Sequence, residues 1–194
     1  MPNLPISQLP QSTTLQGNEL FVNVQGGVTK YTTLDDITTH HSAYISCYST
    51  QSQALVTSGS AQVVTFTDTW TSNNISVVDN SKITFTDAGT YQLTFNAQVS
   101  NLSNSVVSSW FWVKYNGNNF PNSTTQVTLP ARKSTGVPST QIMSVSILGV
   151  AQNDNDYIEL YWTGDNTLLS LYETPATAII PETPSIIASV IRVG

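Results

Sequence analysis

Thr90-Tyr91-Gln92-Leu93-Thr94-Phe95-Asn96-Ala97-Gln98-Val99-Ser100 alternates without a break. Tyr91, Leu93, Phe95, Ala97 and Val99 share one face, while Gln92, Thr94, Asn96 and Gln98 share the other. A period of two puts successive side chains on opposite faces of an extended chain, so this is a strand with one face in a core and one outside it. A helix would scatter the same apolar residues around its circumference.

Working outward, the same reading predicts strands at 43–49, 61–67, 75–78, 82–86, 108–116, 126–130, 141–151, 157–163 and 185–193. Between them stand turn formers: Asp87-Ala88-Gly89, Asn116-Gly117, Asn153-Asp154-Asn155-Asp156 and Gly164-Asp165-Asn166. These residues tolerate positive φ or bond their own backbone. Nothing in residues 41–194 carries a helical period, and no repeat of 20 to 50 residues is visible. The expected class is all-β, a sandwich or barrel.

Composition narrows the function. Of 194 residues, 9% are charged and 39% hydrophobic, so the surface is expected to be polar and uncharged. Six basic residues against twelve acidic ones give a net charge of −6. That offers no basic stripe for a phosphate backbone, and nucleic acid is not an expected partner. No run approaches the roughly 18 apolar residues of a membrane span, and no basic and apolar leader opens the chain, so neither a membrane nor the usual secretion signal is expected. Cys47 is the only cysteine, which leaves no intrachain disulfide or cysteine-based zinc site, and it reads as a small apolar strand residue. The sequons at Asn74, Asn101 and Asn122 are what chance provides.

Residues 1–40 read differently. Pro2, Pro5 and Pro10 hold an extended arm. Leu20 to Gln25 and Val28 to Thr32 flank Gly26-Gly27, the signal of a tight hairpin. Thr33 and Asp36 could cap a short helix ending near Thr38. A unit this small cannot bury a sufficient core of its own. Its apolar residues Leu9, Leu20, Phe21, Val24, Val28, Tyr31, Leu34 and Ile37 are therefore expected to dock on something.

Two resemblances fall on these two parts. Ile6-Ser7-Gln8-Leu9-Pro10, Leu15, Gly17, Glu19-Leu20, Val24-Gln25-Gly26-Gly27, Thr29 and Leu34-Asp35-Asp36-Ile37 resemble the opening module of bacteriophage fibres and other virion appendages, which implies attachment to a particle. From Ala43 onward the chain is similar to the C1q and tumour-necrosis-factor-like jelly roll. Ile83-Thr84-Phe85-Thr86, Gly89-Thr90-Tyr91-Gln92-Leu93, Val113-Lys114-Tyr115-Asn116-Gly117, Tyr157-Ile158-Glu159-Leu160 and Ile186 to Ile191 carry that likeness. Asn153 to Asp156 stand where the family has Gly-Asp. The resemblance implies a ten-strand, two-sheet sandwich that trimerises, with both termini at one end. Bulky groups on both faces of Trp110 to Val113 and Tyr157 to Trp162 point the same way, because a sandwich buries only one face of each sheet.

Candidate chemistry is sparse. No nucleophile elbow, phosphate loop or His-Glu-x-x-His element is present, and no motif places a carboxylate pair; no catalytic residue, cofactor or enzyme activity is expected. His40 and His41 are adjacent and cannot chelate one ion from a single strand. Asp154 and Asp156 lack the glycine and distal glutamate of a calcium loop and read as a turn, so no metal is expected. If Phe111, Val113 and Tyr115 face the core, Trp110 and Trp112 face outward. With Tyr172 they could bind a partner or stack on a sugar ring, or simply pack against a neighbouring loop or subunit. The expected function is that of a homotrimeric capsid decoration protein or head fibre on the virion surface. Residues 1–40 would anchor it, most naturally on the major capsid protein, and residues 41–194 would form the jelly roll. A short tail fibre reading host surface glycans and a free C1q-like lectin are the alternatives.

Overall fold

The computed structural model describes residues 20–33 and 43–194, with the side chains of residues 23–25 excepted. The chain separates into two compact units, Met1–His41 and Ser42–Gly194. In the first, Leu20–Gln25 (β1) pairs antiparallel with Val28–Thr33 (β2), Val22 opposite Tyr31. Gly26 and Gly27 both take positive φ, 61° and 77°, the pair of values a two-residue type I′ turn requires. The predicted arm before residue 20 and the predicted helix after Thr33 lie outside the described residues.

The second unit is all-β. Its strands are Tyr44–Ser49 (β3), Gln53–Ala54 (β4), Gln62–Val63 (β5), Asp68–Asn73 (β6), Ile75–Val78 (β7), Lys82–Phe85 (β8), Gly89–Asn101 (β9), Val107–Tyr115 (β10), Asn118–Asn119 (β11), Thr125–Leu129 (β12), Ser139–Ala151 (β13), Tyr157–Gly164 (β14), Leu169–Leu171 (β15) and Ile186–Arg192 (β16). They form two seven-stranded antiparallel sheets. In the first, β13, β9, β16, β3 and β6 lie side by side, with β15 and β4 continuing beyond β16. In the second, β12 and β11 line one edge of β10, followed by β14, then β8 and β5, then β7.

The alternating row of β9 lies at the centre. Phe95, Ala97 and Val99 are sealed from solvent and pack in one continuous core with Phe111 and Val113 of β10 and Leu160 and Trp162 of β14. Each large side chain so buried contributes about 1.5–3 kcal/mol, which makes this two-sheet core the main source of stability. The unit begins and ends at the same end of the sandwich: Arg192 donates its N–H to the Ala43 carbonyl, and Thr90 donates to that of Gly194.

Two strand expectations are corrected. Of the segment 61–67 only Gln62–Val63 pairs as a strand, because side-chain amides take the place of a neighbouring backbone. Gln53 Nε2 donates to the Thr65 carbonyl and Gln53 Oε1 accepts from the Thr65 N–H, both at 2.9 Å. Conversely, β6 forms from a polar run with no alternation, since it needs only the free edge of β3.

Candidate functional site

The hairpin of the first unit places its apolar side chains in the open. Relative exposures are 74% for Val22, 71% for Tyr31, 61% for Leu20 and 58% for Val28, with Phe21 also exposed. Among the described residues these two strands have no second layer over them. Leu9, Leu34 and Ile37 lie outside the described residues, as do His40, His41 and the Val24 side chain.

On the second sheet, β10 alternates as expected. Val107, Ser109, Phe111 and Val113 are buried, while Ser108, Trp110, Trp112 and Lys114 face outward and are half-buried. Outward on β14 stand Tyr157, Glu159, Tyr161 and Thr163, and on β12 the exposed Gln126 and Thr128. Registry sets Trp110 between Gln126 and Thr163, and Trp112 beside Tyr161. Trp112 and Tyr161 have ring centroids 5.9 Å apart, and the Lys114 ammonium lies 4.0 Å from the Tyr161 centroid. Positive φ at Asn116 and Gly117 folds β11 back along β10. Asn119 thereby accepts a 3.0 Å hydrogen bond from Trp112 Nε1. Burial pushes the Tyr161 phenol upward from its ordinary pKa, so the ring keeps its neutral hydroxyl.

The cations on this face have acidic neighbours. Glu159 is buried beneath its neighbours, opposite Lys114 across the strand pair and bonded by the Ser81 hydroxyl at 2.9 Å. Lys82 pairs with Asp79 at 2.7 Å.

The outer face of the first sheet differs in kind. Tyr44 of β3, Ile191 of β16 and Leu148 of β13 are exposed in one row across the sheet, joined only through Gln92 of β9. Val150 and Ile142 are exposed farther along β13, and Tyr48 packs against exposed Trp70 with ring centroids 4.6 Å apart. Sequence reading drew its argument for a second surface from the bulky strands β10 and β14 and did not single out this face. The available signal was β13, where Ile142, Leu148 and Val150 interrupt its outward polar positions. Tyr172 follows β15 in this first sheet, its N–H bonded to the Gln98 carbonyl. The structure therefore does not bring it together with Trp110 and Trp112, which belong to the other sheet.

Asp156 has a structural task. Its carboxylate accepts from the Tyr115 hydroxyl, from Asn116 Nδ2 at 2.7 Å, and from the N–H groups of Gln152 and Asn153 at 2.8 Å each. The Tyr115 hydroxyl, with the Asn116 and backbone donors, holds the Asp156 pKa down to about 2 against the opposing push of burial. Among the described residues no group of three or more His, Cys, Asp and Glu is placed to hold a metal. Between the sheets, Phe85, Tyr91, Val113, Phe120 and Ile147 line an apolar cavity of about 40 Å³, room for a water-sized group rather than a ligand.

Neither a protein-family model nor a curated protein matches the chain.

Proposed function

We propose that the protein is a structural component of a tailed-bacteriophage particle, a trimeric capsid decoration protein or head fibre displayed on the virion surface. Its first 40 residues would hold it to the major capsid protein. The observation that carries this reading is the hairpin: among the described residues nothing covers Leu20, Val22, Val28 and Tyr31, and an exposed apolar face of this kind calls for a partner. A short tail fibre that reads surface glycans is the second reading, favoured by the aromatic outer face of β10 and β14.

Strand order supports a C1q/TNF-like jelly roll for residues 41–194. Ten strands have four or more residues, five in each sheet, in the orders β6-β3-β16-β9-β13 and β7-β8-β14-β10-β12. Successive pairs and single strands pass back and forth between the sheets. Trimerisation is supported by the aliphatic row of the first sheet together with the edge strand β13 beside it. A face on one side and an edge on the other make a head-to-tail contact, which closes into a ring.

Light scattering of the purified chain is expected to give three times 21.0 kDa, and Leu148→Asp with Ile191→Asp is expected to reduce that to one. A wild-type monomer at every concentration would exclude the trimer. Quantitative mass spectrometry of purified particles tests the location. Hundreds of copies per particle mark a head decoration, a few tens or fewer a tail or vertex fibre, and absence removes the virion reading.

A further inference from the structure

The two outer faces carry different chemistry. Among polar groups, the first sheet exposes the aliphatic side chains Ile142, Leu148, Val150 and Ile191 beside Tyr44 and Trp70, apolar surface of the kind that marks a protein interface. On the outward positions of β10, β12 and β14 there is no aliphatic side chain: the residues are Trp110, Trp112, Tyr157, Tyr161, Ser108, Thr128, Thr163, Gln126, Lys114 and Glu159. We propose that this face, centred on Trp110, Trp112 and Tyr161, binds an uncharged oligosaccharide. The inference deepens the glycan-reading alternative by naming its ligand class, and it does not depend on where on a particle the protein sits, since the site is built wholly within residues 107–164.

Three observations favour that ligand. First, the indoles of Trp110 and Trp112 lie two residues apart on one strand, about 7 Å at the usual rise, so neighbouring sugar rings of a chain can each meet an aromatic surface. A pyranose offers a patch of C–H groups to such a surface while its hydroxyls stay at the rim. Secondly, the rim here is made of uncharged donors and acceptors. Ser108 and Thr128 hydroxyls lie 3.0 Å apart and Gln126 Nε2 donates to Ser108 at 3.3 Å, a row of groups able to exchange hydrogen bonds with sugar hydroxyls. Thirdly, the cations on the face have acidic neighbours: Lys114 stands opposite Glu159 in the strand register, Lys82 pairs with Asp79, and the Asp165 carboxylate accepts from the Ser108 N–H. No net positive field is left to select an anionic glycan or a phosphorylated surface.

The site is also set before a ligand arrives. The bond to Asn119 fixes the Trp112 ring, and the Lys114 ammonium over Tyr161 fixes the second ring beside it. Side chains already held lose less freedom on binding.

The test uses the full chain on an array of neutral hexose, N-acetylhexosamine and deoxyhexose oligosaccharides beside uronate-containing and sialylated ones. Hits are followed by titration of tryptophan fluorescence. Binding to at least one neutral oligosaccharide is expected, with affinity falling about tenfold or more in Trp110→Ala and in Trp112→Ala. Trp70→Ala, on the other sheet, should leave it unchanged. Unfolding midpoints of the variants separate lost binding from lost fold. Should Trp112→Ala unfold, Asn119→Ala, which frees the indole without removing it, is expected to weaken binding severalfold. Binding only to charged glycans, no binding on the array, or neutral binding that survives both tryptophan substitutions would overturn the proposal.

Discussion

Asp156→Asn changes one atom and should cost about 1–3 kcal/mol. The carboxylate faces four donors, one through Oδ1 and three through Oδ2. An amide in its place keeps a single acceptor oxygen. If that oxygen takes the Oδ2 position, it still accepts from Tyr115, Gln152 and Asn153, but the new NH₂ meets Asn116 Nδ2, donor against donor. Asn116 cannot simply turn over, because its Oδ1 already accepts the Tyr157 N–H at 2.9 Å. If the amide is reversed, the Asn153 N–H and the Tyr115 phenol lose their acceptor and the Gln152 N–H keeps only the Tyr115 oxygen, at 3.0 Å, which is worse. Either way at least one buried donor is left unmet, the origin of the stated magnitude. Urea unfolding followed by tryptophan fluorescence measures it at neutral pH.

The acid dependence of the same pair checks the mechanism. The folded pKa of Asp156, about 2, lies below its ordinary value of 3.8. The stabilisation is therefore present above that ordinary value and is lost as pH falls towards 2. The gap between wild type and Asp156→Asn should accordingly narrow on acidification from pH 6. A variant within about 0.5 kcal/mol of wild type at pH 6, or a gap independent of pH, would refute the reasoning.

Gly164→Ala should destabilise by about 1–3 kcal/mol through overpacking. Its Cβ would stand 2.3 Å from Leu169 Cδ1 and 3.2 Å from the Ser108 carbonyl oxygen, and Leu169 is sealed in the core; thermal unfolding reads the change. Burial pushes the Cys47 thiol up to about 12, so Ellman's reagent at pH 8 should leave the folded protein unmodified and label it once urea unfolds the chain. A fragment spanning residues 42–194 retains the whole buried core and is expected to unfold in one cooperative transition close to that of the second unit in the full chain. Particle binding, assayed by co-sedimentation, should be lost from the same fragment.

The sequence by itself determined the strands whose two faces differ. Tyr91 to Val99 could be oriented from their alternation, because one-sided burial writes a period of two into the chain. The hairpin at Gly26-Gly27 and the turn at Asn116-Gly117 were legible for a local reason as well, since positive φ selects those residue types. Trp110 and Trp112 could likewise be assigned to the face opposite Phe111 and Val113.

Only the tertiary structure decided what each face meets. A period of two separates inside from outside but does not name the sheet, and strand partners come from distant parts of the chain. Thus Tyr172 and the two tryptophans, alike as exposed aromatics in sequence, lie on different sheets. Gln53 stands in for a strand partner of Thr65, Asp156 gathers donors from two separate loops, and the aliphatic row of Tyr44, Ile191 and Leu148 exists only after β3, β16, β9 and β13 are aligned. Each of these depends on non-local pairing, to which local propensity and patterning carry no information.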